Sequence, residues 1–138
     1  YAAGIIIRRT SLGKGLEETP LKDLAERTIQ KREVLKKRGI LSNKTGPTTS
    51  NLTASGQMLK AIHSVVVKTG RILIKIKDKR SNYGQNKALT NNDLAYIHQI
   101  KGAGKTKVKR PFFGFSKKDV KKITDFTRRK IKALLKNA

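Results

Sequence analysis

A surplus of positive charge constrains this chain more than any other feature of its sequence. Lysine and arginine number 33 against nine aspartates and glutamates in 138 residues, a formal net charge of +24. Self-repulsion of that size opposes compaction of an isolated chain and attracts polyanions, nucleic acid above all. A basic face kept for solubility is the bland reading of the same charge. The length fits one domain, able to bury roughly two-thirds of its unfolded surface. Only 36% of the residues are hydrophobic and 5% aromatic, so the core is expected to be small or to be completed by neighbouring copies. That favours an assembly component over a free-standing enzyme.

Several chemistries are set aside at this level. There is no cysteine, hence no disulfide and no thiolate zinc site. Apolar runs such as Ile5-Ile6-Ile7 and Val65-Val66-Val67 fall far short of the ~20 residues that span a bilayer, so no membrane partner is expected. The stretch Tyr1 to Ile7 is too short for a secretory signal, and a chain opening on Tyr1 raises the expectation of a trimmed start. His63 and His98 are the two histidines and the carboxylates are scattered. No catalytic residues, metal ligands or cofactor are expected, and the chain is read as a non-enzyme.

Along the chain, residues 1–19 read as an arm or flexible extension. Ile5-Ile6-Ile7 suits an edge strand or an arm docking on a neighbour, and Gly13 and Gly15 suit a flexible connection. From Pro20 to Arg38, Leu21, Leu24, Ala25, Thr28, Ile29 and Leu35 fall near helical spacing, with Pro20 placed for a first turn and Gly39 as the stop. The opposite face carries Lys22, Arg27, Lys31, Arg32, Lys36, Lys37 and Arg38. Residues 40–51 read as a surface linker. A short helix follows, capped by Thr53 or Ser55, with Met58, Leu59 and Ile62 on its apolar face. His63 to Lys68 and Arg71 to Asp78 alternate as two strands joined by a tight turn at Thr69-Gly70. Residues 79–88 read as a loop. Thr90 with Asp93, and Ser116 with Asp119, have capping-box spacing. The first opens a short helix with Leu94, Ala95, Tyr96 and Ile97. The second opens a long basic helix whose apolar stripe holds Val120, Ile123, Phe126 or Thr127, Ile131, Leu134 and Leu135. The expected fold class is α+β, a small single domain over residues 1–138. An antiparallel β-hairpin packs against amphipathic helices, and a long basic helix closes the chain.

The stretch from Tyr96 to Ser116 is where candidate contacts concentrate. Residues 100–110 form a basic loop carrying Lys101, Lys105, Lys107, Lys109 and Arg110, the candidate residues for contact with nucleic acid or an acidic partner. Three of the four phenylalanines, Phe112, Phe113 and Phe115, follow within four residues. They are expected to pack as an anchor, with base stacking alongside Tyr83 and Tyr96 as the sharper alternative. His98 is expected to pack or hydrogen-bond at the foot of the loop.

Three pieces of the chain resemble bacteriophage tail-completion and virion-morphogenesis proteins of the head-tail connector, or neck. Leu21 to Arg32 is similar to their segment "plspaTlarR" through Leu24, Thr28 and Arg32. Leu52 to Ile62 resembles "LtdSGrLlrSi" through Ser55 and Gly56. Tyr96-Ile97-His98-Gln99, followed by Lys109-Arg110-Pro111-Phe112-Phe113-Gly114-Phe115-Ser116 and Asp119, resembles "YAaiHQfG … iPaRpFLGls..D". Order and approximate spacing agree across about residues 20 to 125. The resemblance implies a non-catalytic virion subunit, assembled in the host cytoplasm. It would form a homo-oligomeric ring around the channel through which DNA passes, with neighbouring connector and tail proteins as partners. Ser55, Gly56, Tyr96, His98, Gln99, Pro111, Phe112, Phe113 and Gly114 would then be structural. Contact with packaged DNA would be non-specific, because the cations are spread over loops and helix backs and no base-reading motif is present. The rival is a ribosomal-type basic RNA-binding protein, which shares the size and lysine richness and predicts a monomer that binds folded RNA. A nucleoid-type DNA packager is a third reading.

Overall fold

The hydrophobic positions come together around Phe112, which has no exposed surface. Residues 1–39, 41, 48, 50, 52, 56–68, 71–78 and 89–136 are described by the computed structural model. Five helices, α1 (Ala2–Ser11), α2 (Glu26–Lys37), α3 (Gln57–Lys60), α4 (Asn91–Tyr96) and α5 (Lys117–Lys136), accompany two strands, β1 (Ile62–Val66) and β2 (Ile72–Ile76). The fold is α+β, with a two-stranded antiparallel sheet and a long C-terminal helix. Ala3 and Ile6 of α1, Met58 and Leu59 of α3, Ile62 of β1 and Ala95 of α4 pack with Phe112. Ile7, Leu52, Ile74, Ile76, Leu94 and Phe113 lie partly buried against them.

The N-terminal residues, expected as an arm or edge strand, are a helix built into this core. Ala3, Ile6, Ile7 and Thr10 follow the i, i+3, i+4, i+7 pattern that puts side chains on one helical face. Ala3, Ile6 and Thr10 are buried. That packing outweighs the strand preference of three consecutive β-branched residues. Nor is Gly13 a flexible connection. It ends α1 with φ +76°, its N–H donating to the Thr10 carbonyl at 2.9 Å while that of Lys14 reaches Arg9 at 3.2 Å. These two bonds are the Schellman helix stop, which favours glycine at the left-handed position.

Helix α2 starts later than its spacing suggests, at Glu26 instead of Pro20. Pro20 pairs with Lys14 in an isolated antiparallel bridge, and the Leu21 N–H donates to Gly13 at 2.7 Å. Those bonds fix residues 14–21 as a turn and bury Leu21. Gly39 ends the helix as expected, with φ +66°. Of the α2 residues only Arg32 is buried.

The hairpin forms in the register Ile62 with Ile76, Ser64 with Ile74 and Val66 with Ile72. These six share one face. It is covered at the Ile62–Ile76 end and open at the other, where Val66 is 73% and Ile72 61% exposed. The expected turn at Thr69-Gly70 lies outside the described residues, as do the proposed caps Thr53 and Ser55, most of the 40–51 linker and the whole of the 79–88 loop. Helix α3 begins after Gly56, whose φ is +70°.

Helix α5 is fixed at its start and unsupported along its second half. The Asp119 backbone N–H donates to Ser116 Oγ at 3.1 Å, and the Ser116 N–H donates to Asp119 Oδ2 at 3.1 Å, the reciprocal cap expected from their spacing. The guanidinium of Arg9 donates to the same carboxylate, and also to the carbonyls of Phe112 (2.6 Å) and Gly114 (3.1 Å). One buried arginine thus joins α1, the aromatic segment and α5. Tyr1 stacks on Phe126 at 4.1 Å between ring centroids. Beyond that contact every residue from Thr127 to Lys136 is exposed.

Candidate nucleic-acid interface

The basic segment is shorter and more ordered than a loop of eleven residues. A capping box starts α4, with the Asp93 N–H on Thr90 Oγ1 at 3.1 Å and the Thr90 N–H on Asp93 Oδ2 at 2.8 Å. The Thr90 N–H, and after it the Thr90 hydroxyl donating to the same oxygen at 2.9 Å, hold the Asp93 carboxyl below its ordinary pKa. Asn91 is buried and donates to the Lys77 carbonyl at 3.0 Å, tying α4 to the end of β2. The helix then widens into a π-turn over Ile97–Lys101, closed by the Gly102 N–H on the Ile97 carbonyl at 2.7 Å. Ile100 and Lys101, expected in the loop, therefore belong to this turn.

Gly102 has φ +89°, and a Cβ there would overlap the backbone of Lys107. That close approach lets Ala103 and Val108 pair in both directions, at 2.9 and 3.0 Å. Residues 103–108 are consequently a tight hairpin with Gly104–Lys107 at its tip. Lys101, Lys105, Lys107 and Lys109 are exposed on and around it. Arg110 is turned inward, 6% exposed, which corrects its grouping with the outward-facing cations. Its Nε donates to the Lys22 carbonyl at 2.9 Å and to Ser50 Oγ at 3.1 Å, and its Nη2 donates to the Asp23 carbonyl at 2.6 Å. The Arg110 N–H also holds the His98 carbonyl at 2.7 Å. Arg110 therefore ties the hairpin's foot to the segment that leads into α2.

The aromatic segment is held by Gln99. Its Oε1 accepts from the N–H groups of Phe112 (2.8 Å) and Phe113 (3.0 Å), and its Nε2 donates to the Phe113 carbonyl at 3.2 Å. One amide thus satisfies three backbone groups of a segment that belongs to no helix or strand. Phe112 and Phe113 meet edge to face at 6.2 Å. The Pro111 carbonyl accepts from the Leu16 N–H at 2.8 Å, and Gly114 passes so close to Leu16 that a Cβ would lie 3.0 Å from its side chain. Phe112 is wholly buried, whereas Phe115 is 37% and Tyr96 56% exposed. Tyr83 and Ser55 lie outside the described residues.

His98 lies beside Arg32 and Arg110. Burial first, and then the two guanidinium charges, depress its pKa to about 4. Burial followed by Arg110 also lowers the pKa of Arg32. Together these side chains line a cleft of about 850 Å³ between the start of α2 and the 103–108 hairpin. The cleft gathers Leu24, Thr28 and Arg32 from one end of the chain with His98, Lys105 and Arg110 from the other. Arg27 and Lys31, read from the sequence only as part of a helix's basic face, and Arg9, not singled out at all, are the residues that sequence reasoning missed; Arg32 was marked by the resemblance, but not its burial. One signal was available. The buried basic residues Arg9, Arg32 and Arg110 are all arginine, while the exposed ones on the hairpin are lysine. Arginine's planar, weakly hydrated head is the better suited to burial.

Among the described residues no group of three histidines, cysteines, aspartates or glutamates is placed to hold a metal ion. No helix there is long and apolar enough to cross a membrane. Compared with family models, curated proteins and solved structures, the chain gives no match.

Proposed function

We propose that this chain is a structural subunit of a bacteriophage head-tail connector, of tail-completion or tail-terminator type. It assembles as a ring around the DNA channel and joins head to tail in the virion. The observation that carries this reading is the surface that the subunit leaves uncovered. Ile131, Leu134 and Leu135 are 52%, 71% and 73% exposed on a helix dense in lysine and arginine. A second open surface carries Lys101, Lys105, Lys107 and Lys109. Apolar side chains so exposed point to protein contacts, and cations so concentrated point to a polyanion. A ring around DNA meets both demands with one kind of subunit. The segments on which the resemblance rests also meet in the fold, Leu24, Thr28 and Arg32 facing the same cleft as His98 and Arg110.

Contacts with DNA are to phosphates. Affinity for duplex is then independent of sequence and falls steeply with salt, since each neutralised phosphate releases counterions. The deciding experiment is the native mass of protein stripped of nucleic acid by high salt, alone and after addition of DNA and neighbouring connector proteins, with negative-stain images. Closed rings are the expected result. A subunit that stays monomeric throughout and binds structured RNA tightly overturns the reading in favour of the ribosomal-type alternative.

A further inference from the structure

The cleft between α2 and the 103–108 hairpin is more than a gap between elements. Among the described residues five permanent cations line it, Arg27, Lys31, Arg32, Lys105 and Arg110, and Asp23 is the one carboxylate. Arg32 and Arg110 are 7% and 6% exposed, whereas Arg27, Lys31 and Lys105 are exposed. The wall between them includes Leu24, Leu52, Met58 and Val108, and apolar surroundings strengthen any charge interaction made there. We propose that this cleft is a binding site for a phosphoryl anion, with Arg32 and Arg110 in its buried wall and Arg27, Lys31 and Lys105 at its rim.

Three features fit that ligand. Guanidinium groups are planar, weakly hydrated cations with several N–H donors, which suits them to phosphate oxygens. Arg110 is held in place by the Lys22 and Asp23 carbonyls and Ser50, so binding need not order a free side chain. The third is the accumulation of like charge itself. Burial and the nearby Arg110 disfavour the charged form of Arg32, and an anion in the cleft relieves that repulsion. Ala25, the N-cap of α2, supplies no side-chain cap, and the start of that helix, whose dipole favours an anion, borders the cleft through Ala25 and Arg27.

This site does not depend on ring formation, and its test is separate from that of the connector reading. The full chain, labelled for NMR, is titrated with inorganic phosphate at ionic strength held constant with chloride, and then with a short duplex DNA. The His98 imidazole is the reporter. Phosphate is expected to produce a saturable shift and to raise the His98 pKa. The exposed-site variants Arg27→Gln and Lys105→Gln should each weaken phosphate binding about tenfold. Lys101→Gln, outside the cleft, should leave it unchanged. Duplex DNA that produces the same shift, or displaces phosphate, assigns the site to a nucleic-acid backbone. Duplex DNA that binds without moving His98 assigns it to a free phosphate compound. The proposal is overturned if His98 responds to neither probe, or if the two rim variants respond like the parent, whatever the ring assay gives.

Discussion

His98 is neutral in the folded chain at any pH near 7, and that has a cost in acid. Its pKa is about 4 in the fold against an ordinary 6.5. Between those values the unfolded chain binds a proton that the folded chain refuses. Stability is therefore complete above the unfolded value and is lost as pH falls through the folded one. The loss reaches about 1.4 kcal/mol per pH unit, on the order of 3 kcal/mol in all. Urea midpoints measured from about pH 7 down to about pH 4 should fall accordingly, and His98→Gln should flatten most of that slope. An unchanged slope in the variant would place the acid sensitivity elsewhere. Burial is the chief cause, and the charged neighbours that add to it, Arg110 and Arg32, lie 12 and 66 residues from His98 in the sequence, so their convergence was not legible there. Gln99 is the opposite case. Its place two residues after the expected short helix, ahead of the phenylalanines, was visible, but its amide's reach to two N–H groups thirteen and fourteen residues on was not.

Among the secondary-structure elements, those set by local chemistry were the readable ones. The Thr90–Asp93 and Ser116–Asp119 caps and the alternation of Ile72, Ile74 and Ile76 each announced their element, because the interactions span only a few residues. Helix α1 did not, since its three isoleucines favour strand locally and only the buried face of Ala3, Ile6 and Thr10 makes them helical. Its dependence on tertiary contact runs through Arg9. The Arg9–Asp119 pair is buried, with side chains 4% and 1% exposed, and removing one member leaves an uncompensated charge in the interior. Arg9→Met or Asp119→Leu alone should each cost about 3–5 kcal/mol, whereas the two together should recover much of that loss. Chemical denaturation of the single and double variants measures it. Additive losses would mean that Arg9 acts through its bonds to the Phe112 and Gly114 carbonyls and not through the carboxylate.

Taken together, a net charge of +24 on one small fold sets its behaviour in solution. Self-repulsion acts over the Debye length, which shrinks from ~30 Å at 0.01 M salt to ~8 Å at 0.15 M. Thermal midpoints of the isolated chain should therefore rise with added sodium chloride, and short duplex DNA should raise them further at low salt. A midpoint indifferent to both would show that the charges are already spaced widely enough not to oppose folding. The surplus of charge was legible from composition alone. Where it is concentrated was not, because it depends on which cations the fold draws inward.

The mounting of α5 has a mechanical consequence. The helix is gripped within its first turn at Asp119, paired with Glu18 through Lys118 and Lys122, and stacked on Tyr1 at Phe126, while every residue from Thr127 to Lys136 is exposed. From Asp119 to Lys136 is ~25 Å of rise. A tilt of about 10° at the grip would sweep the tip through roughly 4 Å. In the proposed ring, the subunit would then match a neighbour that sits slightly higher or lower without repacking its core, a lever adjusting the outer contact while the fulcrum at Arg9 stays fixed.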